Sequence, residues 1–298
     1  MNLPRFAVLL AAYNGVRWLP EQFESILGQS ESEVTLFVSV DRSDDGTYEW
    51  VTQQAADDQR IVVLPYGEVY GGAAPNFYRL VRDVDIADFD YVALADQDDI
   101  WSPDKLRRAA CLMTTTGCQG YSSDVMAVWE DGREKVVKKS QPQRQWDFLF
   151  ESAGPGCTYV FDNQLALSLR RLVTVEFPRV SEIEFHDWLF YAYSRSKGSR
   201  WLIDDYCGLR YRQHESNQYG ANVGLQQLIN RLAQMKSGWY FDQSRKIAAV
   251  CGQDDSGFVR RMHRGYLGRL FVALNIGKTR RRFRHRMVLL LLCVLNAT

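Results

Sequence analysis

The run "VALADQDDIW", residues 92–101, closes an apolar stretch with three acids in four positions: Asp96, Asp98 and Asp99. Carboxylates crowded this closely repel one another unless something positive sits among them. In an extended segment, residues two apart point the same way, so Asp96 and Asp98 can aim at one divalent cation. Hard oxygen ligands suit Mg²⁺ or Mn²⁺, and such an ion commonly joins carboxylates to phosphates. The competing reading is structural: the acids cap a helix that starts near Pro103. One acid would suffice for that. A calcium loop fits less well, because the glycine it needs is absent.

Two more polar clusters follow apolar runs. "AAYNG" (11–15) comes after "FAVLLAAY", and "DRSDDGT" (41–47) comes after "VTLFVSVD". The second offers carboxylates and hydroxyls at a helix start, where they either hold a base or ribose or simply make a turn and cap. Neither a G-x-G-x-x-G nor a G-x-x-x-x-G-K-[ST] pattern is present, which counts against a Rossmann dinucleotide site and a P-loop.

The elements that would carry these clusters alternate. Strands are expected at 6–13, 34–41, 60–66 and 89–96, with helices at 18–29, 46–58 and 75–84 between them. That alternation implies βαβ units and a parallel sheet with helices on both faces. Ser102 as N-cap with Pro103 at the first helical position predicts a further helix. Asp131-Gly132 predicts a hairpin turn. "HDWLFYAYSRS" (186–196) reads as a helix, "SRWLIDD" (199–205) as a short strand, and the chain from about 223 as mostly helical. Ligands of open parallel sheets bind beyond the carboxyl ends of the strands. A strand order 3-2-1-4 would bring all three polar clusters to one rim.

Taken in order, "AAYNG", "DRSDDGT", "ADQDDIWSPDKL", "HDW" and "YRQHESNQYG" resemble the family 2 inverting glycosyltransferases of GT-A fold, and most of all bacterial rhamnosyltransferases of cell-surface polysaccharide synthesis. The resemblance covers about residues 5–220. It implies an α/β fold of GT-A type, with a glycosyltransferase domain at 1–222 and a helical extension at 223–298. It implies a nucleotide-sugar pocket lined by Ala12, Tyr13, Asn14, Asp41, Ser43, Asn76, Asp96 and Gln97. Asp98 and His214 would hold a divalent cation, Mg²⁺ or Mn²⁺, and Asp187 would be the catalytic base. The donor implied is dTDP-rhamnose and the acceptor a lipid-linked saccharide. Read without the resemblance, Asp187 is favourable charge at a helix N-terminus, with Glu182 and Glu184 as competing bases, and His214 is a surface or core histidine. Two aromatics often follow "HD" in the family, whereas here Leu189 follows Trp188. The Q-x-x-R-W motif of processive synthases is absent, which favours single addition.

Bulk composition adds location. Lysines plus arginines equal aspartates plus glutamates at 36 each, yet residues 258–298 hold ten basic residues and no acid. Such asymmetry points to an anionic partner for the tail. The apolar run 287–295 would reach about 13 Å as a helix, short of the roughly 30 Å of a bilayer core. It either lies in a membrane interface or packs on the protein. The six cysteines show no framework or zinc spacing, and the N-terminus does not read as a signal peptide. The expectation is a cytoplasmic enzyme, peripheral at the inner membrane face, with no nucleic-acid partner. Its rivals are a UDP-hexose transferase, a sugar nucleotidyltransferase and a non-enzymatic binding module.

Overall fold

The computed structural model describes residues 3–214 and 238–295. The chain divides into two compact units: 1–140, 154–177 and 199–220 form one, and 141–153, 178–198 and 221–298 the other. The division expected at 222/223 lies outside the described residues.

The first unit is a mixed sheet with helices. Its strands are β1 (Arg5–Ala12), β2 (Glu33–Val40), β3 (Ile61–Val63), β4 (Tyr91–Asp96), β5 (Ile100–Trp101), β6 (Gly120–Trp129), β7 (Glu134–Val137), β8 (Val160–Asp162) and β9 (Trp201–Gln213). They run in the order β3-β2-β1-β4-β8-β6-β9-β5, with β7 on β6. The β3-β2-β1-β4 half is parallel, as the alternation of strand and helix predicts. β1 is apolar along its length because both faces are covered: Phe6, Ala7, Val8, Leu9 and Leu10 are all buried. The register pairs Ala11 with Asp96 and Ala12 with Val40, so the polar clusters after β1, β2 and β4 begin at one edge of the sheet.

Helices α1 (Leu19–Leu27), α2 (Thr47–Asp57), α3 (Ala73–Asp83), α4 (Lys105–Thr116) and α5 (Asn163–Val175) belong to this unit, followed by the short α6 (Phe177–Val180). α4 begins two residues later than Ser102-Pro103 suggests. The Lys105 N–H closes a turn on the Ser102 carbonyl at 3.1 Å, and Asp104 takes the N-cap position. The hairpin β6–β7 turns at Asp131-Gly132 as expected, with Gly132 at φ 82°.

β9 corrects the expected short strand at 199–205. It runs to Gln213, parallel to β6, through register shifts at Ser123, Asp124 and Met126. Asp204, Asp205 and Gly208 look like the end of a strand in sequence; Asp204 pairs with Ser123, and the bulges that follow absorb Asp205 and Gly208. The far part of β9 then pairs antiparallel with β5, Ile100 against Arg210.

The second unit is helical in its described residues: α7 (His186–Ser196), α8 (Trp239–Val250), α9 (Gly257–Met262), α10 (Gly265–Leu274) and α11 (Phe283–Leu295). Its centre is a buried ionic cluster. Asp147 is fully buried and meets Arg195 and Arg281 at 3.3 Å each and the Tyr191 hydroxyl at 3.1 Å. Glu151 accepts from the Arg281 backbone N–H at 2.6 Å. Arg280 donates to the Tyr240 hydroxyl at 2.7 Å. Part of the basic tail is therefore turned inward, onto acids of its own unit. No helix among the described residues is long and apolar enough to cross a membrane.

Candidate active site

Three loops converge at the carboxyl edge of β1, β2 and β4, and side chains stitch them together through backbone groups. In the loop after β1, the Asn14 N–H donates to Ser43 Oγ at 3.0 Å and Asn14 Oδ1 accepts from the Asp44 N–H at 3.0 Å. Asn14 holds φ 45°, a left-handed conformation that asparagine tolerates better than most residues. The Gly15 N–H donates to Thr47 Oγ1 at 2.8 Å, and the Val16 N–H to Asp45 Oδ2 at 3.1 Å. These contacts use the side chains of Ser43, Asp45 and Thr47 in "DRSDDGT".

Asp41 is 4 % exposed. Its carboxylate accepts the N–H groups of Arg42 (2.7 Å), Tyr70 (2.9 Å) and Gly71 (2.9 Å). It thereby fixes the segment at 70–71 beside the rim. Asn76, buried on α3, joins its Oδ1 to Ser39 Oγ and donates to the Ser39 carbonyl at 3.1 Å. Its amide ties α3 to the end of β2.

The three acids after β4 separate into different environments. Asp98 Oδ2 lies 2.8 Å from His214 Nε2, across 116 residues of sequence. The imidazole stacks on the Trp18 indole, with centroids 4.9 Å apart and planes 16° from parallel. The guanidinium of Arg17 sits 4.2 Å from the centre of that indole and that of Arg212 5.0 Å. Asp99 is wholly buried. Burial, then the charges of Asp98 and Asp96, push its carboxyl well above the usual carboxylate range, while Cys157 and Lys105 pull the other way. Lys105 is itself buried and pushed down to about 7, and its ammonium lies 3.5 Å from the centre of the Trp101 ring. The backbone carbonyl of Asp96 accepts from Gln22 Nε2 at 2.7 Å.

Two groupings here have metal-ligand chemistry. Asp96, Asp99 and Cys157 bring ligand atoms within 4.8 Å of one another. That trio fits a hard cation badly: a thiol is a soft donor, burial pushes both the Cys157 thiol and the Asp99 carboxyl upward, and a lysine is close by. Asp98 and His214 fit better. A carboxylate oxygen and an imidazole nitrogen lie 2.8 Å apart at the rim, and the carboxylate is the hard donor that Mn²⁺ or Mg²⁺ takes.

Asp187 lies in the first turn of α7, in the second unit. Its Oδ1 accepts the Trp188 N–H at 2.7 Å, and the Trp188 indole donates to the Phe148 carbonyl at 2.9 Å. The competing acids are engaged elsewhere: Glu184 accepts from the Trp239 indole at 2.7 Å, and Glu182 pairs with Lys246 at 3.3 Å.

Within the first unit, then, the structure gathers Ala12, Tyr13, Asn14, Asp41, Ser43, Asp96, Gln97, Asp98 and His214, with Asn76 beneath them. Sequence reasoning missed Trp18 and Gln22. Gln22 had a visible signal: it is a polar residue on the apolar face of α1 and is fully buried. Trp18 had none, because its partner His214 arrives from β9.

A family profile described as glycosyltransferase-like family 2 matches residues 4–129. A dTDP-rhamnosyl transferase, RfbG of Shigella flexneri, is 37 % identical over 96 % of this chain and 99 % of its own length. A putative teichuronic acid biosynthesis glycosyltransferase, TuaG of Bacillus subtilis, is 32 % identical over 40 % of the chain and 47 % of its own. Among solved structures, S. aureus TarS residues 1–349 in complex with UDP overlays with a TM-score of 0.59 at 15 % identity, covering 92 % of this chain and 72 % of that one. The likeness to TarS is one of fold, and it is the α/β fold of GT-A type that the motifs implied.

Proposed function

The chain belongs to glycosyltransferase-like family 2 and is a glycosyltransferase, and on that premise we propose that it transfers L-rhamnose from dTDP-rhamnose, with inversion and with a divalent cation, to a lipid-linked saccharide in cell-surface polysaccharide synthesis. The likeness to a dTDP-rhamnosyl transferase along nearly the whole of both chains supports this donor. The observation that carries the metal-assisted reading is the pairing of Asp98 with His214 at the strand edge.

In this reading Ala12, Tyr13, Asn14, Asp41, Ser43, Asn76, Asp96 and Gln97 form the nucleotide-sugar pocket. Asp98 and His214 would hold the cation, whose charge would stabilise the departing diphosphate. Asp187 takes the proton of the acceptor hydroxyl. That oxygen forms the bond to the anomeric carbon as the bond from carbon to diphosphate oxygen breaks. The dTDP departs carrying the electron pair, and no covalent sugar–enzyme intermediate forms.

Calorimetry with dTDP-rhamnose, UDP-glucose and UDP-galactose, with Mn²⁺ and then with EDTA, tests this. Metal-dependent binding of dTDP-rhamnose above the UDP sugars supports it. Selective binding of a UDP sugar replaces the donor, and binding that EDTA leaves untouched removes the metal.

For the acceptor side, the reading places the second unit at an anionic membrane surface. Support comes from α11, where Phe283 (67 % exposed), Met287, Leu291 (52 %) and Val294 recur at helical spacing on the open side, while Leu289, Leu292 and Cys293 are buried. The exposed Arg284, Lys278 and Arg264 supply the complementary charge.

A further inference from the structure

The residue between the two acids of the D-x-D run does structural work that the motif itself does not require. Gln97 pairs its side-chain amide with the backbone of Tyr13 in both directions. Its Oε1 accepts from the Tyr13 N–H at 2.7 Å, and its Nε2 donates to the Tyr13 carbonyl at 2.9 Å. This is the pattern one strand residue makes with another, made here by a side chain. The neighbouring glycine is shaped to it. A Cβ at Gly15 would lie 2.1 Å from Gln97 Oε1 and 2.5 Å from its Cδ. Gly15 lies outside the left-handed region, so its backbone would accept alanine. Space for the Gln97 amide is what the missing side chain provides. On its other side the same loop is held by Ser43, Thr47 and Asp45.

We propose that Gln97 is a positioning residue: it latches the loop after β1 to the acid loop after β4, so that the nucleotide side and the metal side of the site are set as one rigid piece. In this role it acts through the Tyr13 backbone, and Gly15 is its steric counterpart. This rests on the donor-site reading above. The latch differs from a generic pocket contact in one respect: its two halves are complementary, so removing either one removes the same thing.

Two measurements on the full chain test it. The first is hydrogen–deuterium exchange without ligand, in wild type and Gln97→Ala. Faster exchange in the peptide spanning 12–18, with a melting temperature lowered by no more than about 5 °C, is the expected result. Unchanged exchange there overturns the latch. The second is calorimetry of dTDP with Mn²⁺ in wild type, Gln97→Ala, Gly15→Ala and the double variant. Loss of two neutral hydrogen bonds is expected to weaken binding about tenfold in each single variant. In the double variant the methyl at position 15 finds the amide gone, so the loss stays about tenfold. A loss near the product of the two, about a hundredfold, would mean that the residues act separately and would overturn the proposal. So would altered exchange with unaltered affinity, since the latch would then position nothing. If wild type bound no nucleotide, the donor-site reading would fall and the positioning role with it; the exchange result would still judge the latch.

Discussion

Asp98 and His214 meet across 116 residues of sequence, 2.8 Å apart. Asp98 follows a buried strand between two other acids, and His214 comes directly after β9, stacked on Trp18. Replacing Asp98 by alanine is expected to cut turnover at least a hundredfold and to abolish the response of nucleotide binding to Mn²⁺, read by calorimetry. A variant still Mn²⁺-responsive would remove Asp98 from the cation site. Trp18 tests the support rather than the ligand. An aromatic stack contributes about 1 kcal/mol, so Trp18→Ala should weaken apparent Mn²⁺ affinity about fivefold. In the proposed function Asp187 is the base. Asp187→Asn should lower kcat by about a hundredfold or more while the donor dissociation constant stays within about twofold. An equal loss of donor affinity would assign it to binding.

At the scale of elements, the segment from Lys278 to His285 is held by acids from the 147–151 turn. Burial raises the Glu151 carboxyl, but His285, Arg281 and Arg280 outweigh it and bring the group down to about 2. Its folded pKa thus lies below its unfolded one. The stability it contributes is fully present above the ordinary glutamate range, near pH 4.5, and is lost as pH falls from there towards 2. Glu151→Gln should lower stability at pH 7 and flatten its decline across that window, measured by denaturant melts at several pH values. A parallel decline in the variant would assign the acid sensitivity to other groups. Asp147 lies deeper. Asp147→Ala strands Arg281 and Arg195 beside a cavity and should cost about 3 kcal/mol. These acids also explain part of the charge asymmetry of the tail: Arg281, 4 % exposed, has its anionic partners inside its own unit.

For the whole molecule, the question is where the enzyme meets its acceptor. The exposed stripe of α11 gives one expectation. Full-length protein should float with vesicles containing phosphatidylglycerol and not with pure phosphatidylcholine. Leu291→Glu should reduce that binding about tenfold or more, because it places a charge where apolar area would be buried. Donor hydrolysis or transfer to a soluble acceptor should be unaffected. A wild-type dimer in solution that the same substitution splits would assign the stripe to self-association.

The alternation of apolar runs with amphipathic segments determined the parallel β3-β2-β1-β4 half, because such strands are covered on both faces and pattern alone reports that. The turn chemistry of Asp131-Gly132 and the helix at 186–196 were legible for the same local reason. Resemblance of the short motifs carried the family. What tertiary structure decided was long-range and depended on bulges and side chains. β9 runs on past Asp204 and Gly208 because register shifts absorb residues that locally read as an end. Only that extension, paired with β5, delivers His214 to Asp98. The fate of the three acids was likewise set by their surroundings: one paired with a histidine, one buried beside a lysine and a thiol, one held through its carbonyl by Gln22. Charge in a sequence says that compensation is needed. Which partner supplies it depends on contacts between segments tens of residues apart, and these exist only in the folded chain.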